Sequence, residues 1–103
     1  MVRINGNTNT RRVSLDGKEL SPTRSQGIRN HSPDGFAWGY CGSGPAQLAL
    51  AILLEVFPED MAVEKYQDFK RDVLAKLRME ADFLIDVDFN REDGSWKAIA
   101  GVP

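Results

Sequence analysis

The residues best placed to do chemistry sit where a glycine-rich turn meets an apolar run. Gly42-Ser43-Gly44 leads into Pro45-Ala46-Gln47 and then Leu48-Ala49-Leu50-Ala51-Ile52-Leu53-Leu54. Such a junction starts a helix on a proline and turns its first backbone N–H groups outward, at the positive pole of the helix dipole. Gly44 has no side chain to cap them, and no acid lies between Pro45 and Leu54. The amides of Ala46, Gln47 and Leu48 therefore want an acceptor. An external phosphate or carboxylate is one answer; Ser43 or Asp34 folding back is the other. Gly42, Ser43, Gly44, Ala46 and Gln47 form the candidate anion site, with Trp38 and Tyr40 as its walls and His31 ahead of it. The glycines match neither a Walker loop nor a dinucleotide fingerprint, so neither nucleotide class is specified.

Three other constellations carry weaker chemistry. Cys41, just ahead of a helix start, has the setting of an activated thiol, and His31 is the one imidazole to pair with it. Nothing in their spacing brings the two together. Asp86, Asp88, Asn90 and Glu92 imitate the opening of a calcium loop. Arg91 stands where that loop needs glycine, and Lys97 where it needs glutamate, so outward acids on a strand account for them better. Phe36, Trp38 and Tyr40, with Arg24, Arg29 and His31, would stack a base over a basic rim if exposed, and would pack a core if buried.

The elements that position these residues are legible in part. Val2-Arg3-Ile4 reads as a short strand. Arg12 to Leu15 and Lys18 to Leu20 flank Asp16-Gly17, a two-residue hairpin turn in which both positions take positive φ. Residues 21–35 read as a long ordered loop or two turns. Phe36 to Tyr40 reads as a strand with its three aromatic rings on one side. A first helix is expected from Pro45 to Phe57, apolar on almost every face and so central to the domain. Pro58 ends it. A second is expected from Glu59 or Asp60 to Met79, with Ala62, Tyr66, Phe69, Val73 and Leu77 as its apolar stripe. Phe83, Ile85, Val87 and Phe89 alternate along a half-buried strand. Trp96 to Pro103 is a tail, either docked through Trp96 and Ile99 or mobile.

Composition sets the outer bounds. A chain of 103 residues, 42% hydrophobic and 27% charged, makes one domain with a modest core. Its net charge of −2 offers no general field for nucleic acid or an acidic membrane. The first third is nonetheless basic and the remainder acidic, which leaves room for an anionic partner on the N-terminal side. With one cysteine there is no intrachain disulfide. No secretory h-region follows Met1, and the longest apolar run is too short to span a bilayer. A cytoplasmic setting without membrane partners is expected.

The stretch from His31 to Leu53 resembles a family of small uncharacterised domains from bacteria and their phages. They share a pattern like H-x-P-x-G-F-x-W-G-Y-G-G-S-G-P-A-Q-L-A-L-A-I-L. Val13 to Leu20 and Tyr66 to Lys70 extend the likeness along most of the chain. The resemblance implies a small stand-alone protein carried by a phage or other mobile element, and brings no assigned activity. Cys41 departs from the pattern, which has glycine there; this counts against a shared catalytic thiol.

The sequence thus predicts a single α+β domain over residues 1–103, a small antiparallel sheet on a two-helix hairpin. Its leading function is a non-catalytic binding or interaction module, taking an anionic small molecule at the glycine turn or a host protein, with no cofactor and no metal. The alternatives are a small enzyme acting on a nucleotide or phosphoester, and a structural adaptor that meets a host protein.

Overall fold

The computed structural model describes residues 1–99. The expected tail beyond Ile99 lies outside the described residues. The chain runs β1 (Val2–Gly6), β2 (Val13–Leu15), β3 (Lys18–Glu19), α1 (Thr23–Ile28), α2 (Ser43–Val56), α3 (Glu59–Asp72), a 3₁₀ turn (Leu74–Lys76), β4 (Phe83–Asn90) and β5 (Ser95–Ile99). The five strands form one antiparallel sheet in the order β3-β2-β1-β4-β5. This is the α+β architecture the sequence predicts. No helix of the described residues is long and apolar enough to cross a membrane.

Helix α2 is the centre of the domain because it has no polar face to show water. Leu48, Leu50, Ile52 and Leu53 are fully buried, each contributing roughly 1.5–3 kcal/mol relative to exposure. It packs against α3 on one side and the sheet on the other. Ile4, Val13, Phe83, Ile85 and Val87 supply the sheet's share of the core. Their alternation with Arg3, Asn5, Asp86 and Asp88 leaves the opposite sheet face in water, as period-two strands require.

The Asp16-Gly17 turn takes φ of 50° and 84°, the pair of positive values a two-residue hairpin needs. It is locked further by Arg3 N–H donating to Asp16 Oδ1 at 2.8 Å. The carbonyl end of α2 is closed by side chains from far along the chain. Arg24 Nη1 donates to Leu54 O at 3.1 Å. Arg91 Nε donates to Val56 O at 2.9 Å. Both guanidinium groups sit at the negative pole of the helix, where cations are favoured.

Four elements differ from expectation. Phe36 to Tyr40 is not a strand and joins no sheet. Gly39 holds φ of 85° and donates its N–H to Leu74 O at 2.9 Å, which breaks the extended repeat. Residues 23–28, expected as loop, form α1; Ser21 Oγ accepts the Thr23 N–H at its start. The second long helix stops at Asp72 and not at Met79, because Val73 adopts φ of −122° and the chain tightens into the 3₁₀ turn. Residues 96–99 of the expected tail, together with Ser95, pair with β4 as an edge strand. Trp96 stands opposite Phe89 and leans edge-on against Phe69, with ring centroids 5.2 Å apart.

Candidate functional site

Helix α2 begins at Ser43, two residues before the proline expected to open it. Gly42 precedes it in extended backbone and provides no side-chain cap. The Ala46 N–H donates to Gly42 O at 3.0 Å. Pro45 has no N–H at all. Of the amides expected to need a ligand, Ala46 is therefore committed, and Gln47 and Leu48 lie inside the helical ladder. The groups that helix geometry leaves without an intrahelical acceptor are the N–H groups of Ser43 and Gly44. Ser43 is exposed, while Gly44 is buried. A Cβ on Gly44 would stand 2.5 Å from Ala37 Cβ and 3.0 Å from Tyr40 Oη, so glycine is needed there for close approach.

The walls expected of this site are split between interior and surface. Trp38 is wholly buried. Its Nε1–H donates to Ala81 O at 2.8 Å, its ring meets Phe83 edge-to-face at 4.7 Å, and the Arg11 guanidinium covers it at 5.5 Å. It is a core residue with its polar atom satisfied, not a pocket wall. Tyr40 is 43% exposed, and its ring lies over Gly42. Met79, 57% exposed, has its backbone against Gly39. The exposed Cys41 follows Tyr40. Tyr40, Cys41 and Met79 thus make a small apolar corner at the N-terminal end of α2.

Gln47 faces the opposite way, into the protein, and it organises the segment before the glycines. Its Oε1 accepts the N–H of His31 at 2.8 Å and that of Ser32 at 3.0 Å. Its Nε2 donates to Ser25 Oγ at 2.8 Å, and Ser25 in turn donates to Pro22 O. Gln26 adds a bond from Nε2 to Ser32 O. Both Gln47 and Ser25 are fully buried, and every polar atom of this kind has a partner among the described residues. His31 closes the network: its Nε2 lies 2.8 Å from Tyr66 Oη. The imidazole is therefore engaged with a tyrosine of α3, and no hydrogen bond joins it to Cys41 among the described residues. Spacing alone could not place His31, but a glutamine in an otherwise apolar helix was a signal that a loop must bond to it.

The acids singled out as a calcium-loop imitation lie along β4. Asp86 accepts Nε and Nη2 of Arg3 at 3.0 and 3.1 Å, and this guanidinium holds its carboxyl below the usual carboxylate range. Asp88 stands directly opposite Lys97. No group of three metal-ligating side chains occurs among the described residues.

A family model covers residues 3–92, from β1 into the turn that follows β4. The chain belongs to the family of unknown function DUF6166. The matched span takes in the whole α2 corner, the Gln47 network and the tyrosine that meets His31; β5 lies beyond it. No curated protein and no solved structure matches the chain.

Proposed function

We propose that this member of the DUF6166 family is a non-catalytic interaction module that meets its partner through the corner at the start of α2. The observation that carries this reading is the pair Tyr40 and Met79, large apolar side chains left in water on either side of Gly39 in a chain that buries its other aromatic rings wholly or in part. Exposed apolar groups clustered on a rigid frame are what a contact surface needs. The frame is rigid because Gly39 is bonded to Leu74 and the preceding loop is pinned by Gln47. The likeness of the glycine motif to small domains from bacteria and their phages favours a host protein as the partner.

The test is site-specific photo-crosslinking in the cell, with a benzophenone amino acid at position 40. Crosslinks to a defined protein from position 40, and none from exposed Glu64 on α3, support the corner as the contact. An empty crosslinking profile at position 40 rejects it.

A second reading rests on the uncapped start of α2 and takes an anion on the Ser43 and Gly44 amides. Thermal unfolding in phosphate, sulfate and nucleotide separates the two readings. Anion binding raises the melting temperature, and Ser43→Asp, which places its own acid at the helix start, removes that rise. Gly44→Asp is unsuitable for this purpose, because Ala37 blocks its side chain.

A further inference from the structure

Asn5-Gly6, Asp16-Gly17, Asp34-Gly35 and Asp93-Gly94 each place a short carbonyl-bearing side chain directly before a glycine. Such a pair carries a latent reaction. The glycine nitrogen, unshielded by a side chain of its own, can bond to the preceding Cγ and close an imide ring. With aspartate, the amide hydrogen and the hydroxyl of the protonated carboxyl leave together as water. A second water reopens the ring. Cleavage of the N–Cγ bond restores aspartate. Cleavage between the nitrogen and the former main-chain carbonyl carbon leaves isoaspartate, with no net change in composition. Nitrogen and Cγ meet only where side chain and backbone are free to rotate, so the fold decides which pair reacts.

Three of the four pairs are restrained. Asn5 and Gly6 lie within β1, paired to β2 on one side and β4 on the other. The Phe83 ring fills the space beside Gly6. Asp16 is tied twice to Arg3: Oδ1 accepts the Arg3 N–H at 2.8 Å, and the Asp16 N–H donates to Arg3 O at 2.8 Å. The paired strands β2 and β3 clamp that turn from either side. Asp93 Oδ1 accepts both the N–H and the hydroxyl of Ser95. These bonds hold the Asp93 carboxyl below the usual carboxylate range, which keeps it ionised and unreactive. Gly94 is buried, and its nitrogen donates to Asn90 O at 2.9 Å.

Asp34-Gly35 has none of this. The pair lies outside helix and strand. Asp34 is exposed, and its carboxyl joins no hydrogen bond or ion pair among the described residues. Gly35 holds φ of 107°, with nothing within 4 Å of the place a Cβ would fill. Its nitrogen is restrained by a long hydrogen bond to Ser32 O, at 3.2 Å.

We propose that Asp34 is a self-modification site, closing an imide with the Gly35 nitrogen and reopening to isoaspartate while the protein stays folded. The product adds one atom to the main chain and frees an α-carboxylate. That carboxylate is the group on which isoaspartyl-directed methyl transfer from S-adenosylmethionine acts. The added length falls between two fixed points. The Ser32 N–H is bonded to Gln47 Oε1, and Phe36 is buried, so residues 33–35 must absorb it. The site does not depend on the partner reading of the α2 corner.

Ageing the full chain in warm neutral buffer tests the assignment, with the same chain unfolded in guanidinium aged in parallel. Peptide mapping with electron-transfer fragmentation distinguishes isoaspartate from aspartate at each pair, and enzymatic methylation counts the total. Dividing each rate by that of the same pair in the unfolded chain removes the effect of local sequence. Asp34-Gly35 should keep at least about fivefold more of its unfolded rate than the other three pairs, which must first release hydrogen bonds. Asp34→Glu, whose ring closure is far slower, should abolish most methylation of the folded chain. Asp34→Asn should turn the site to deamidation, read as release of ammonia and a new negative charge. The proposal is overturned if Asp16 or Asp93 keeps as much of its unfolded rate as Asp34. It is equally overturned if Asp34 stays intact in the folded chain once the unfolded chain has accumulated isoaspartate there, or if Asp34→Glu leaves methylation unchanged.

Discussion

The hydroxyl of Tyr66 meets Nε2 of His31 at 2.8 Å, joining α3 to the segment that runs ahead of α2. The rings are tilted at 48° with centroids 5.6 Å apart, so the contact is a hydrogen bond and not a stack. Tyr66→Phe keeps the ring and removes only the hydroxyl. It should cost about 1 kcal/mol of unfolding free energy, read by urea denaturation. An unchanged midpoint would mean that water replaces the tyrosine without loss.

Gln47 should be less tolerant. Gln47→Leu has nearly the same volume but leaves the N–H groups of His31 and Ser32 facing an apolar side chain. A loss of about 2–3 kcal/mol is expected. Amide hydrogen exchange at residues 31 and 32 should accelerate relative to the core of α2. Exchange that stays slow there would show another acceptor in Gln47's place.

Two glycines should respond in opposite directions to alanine. At Gly39, φ of 85° disfavours a side chain, and a Cβ would run into the backbone of Met79. Gly39→Ala should cost about 2–3 kcal/mol or more. Gly27 lies in α1 with nothing near its missing Cβ. Gly27→Ala should stabilise by about 0.5–1 kcal/mol. Melting temperatures of the two variants that fell together would refute the distinction.

The Arg3–Asp86 pair gives a pH signature. The folded carboxyl titrates below its unfolded value, so its favourable contribution is present above about pH 4 and is lost as pH falls through the folded value. Carboxyl-carbon NMR titration should place Asp86 below the ordinary aspartate range. Arg3→Gln should move that midpoint upward, since the guanidinium bonds are the largest cause of the shift. An Asp86 midpoint indifferent to Arg3 would remove the pair as its origin.

What the sequence reveals depends on how local the cause is. The Asp16-Gly17 turn, the β4 alternation and the apolar run of α2 are each dictated by neighbours within a few residues, and all three are readable. Phe36 to Tyr40 alternates as a strand would, yet Trp38 finds its partner in Ala81 and Gly39 in Leu74. Those contacts arise only once α3 has turned back, and they outweigh the local pattern. β5 hides for another reason: Asp93-Gly94 is a turn signal, but Trp96 is the strand's one half-buried residue, too little to advertise a strand. At the candidate site, the glycines and Tyr40 are visible as a corner from the residues alone. The helix's true first residue is not, and it decides which amides remain outward.

Arg24 and Arg91 stand 67 positions apart in the chain yet close the same end of α2, at Leu54 and Val56. Neither flank can detach without unsealing the central helix for the other. Shortened versions cut from opposite ends should consequently fray at one shared place, and the intact chain should melt in a single cooperative step.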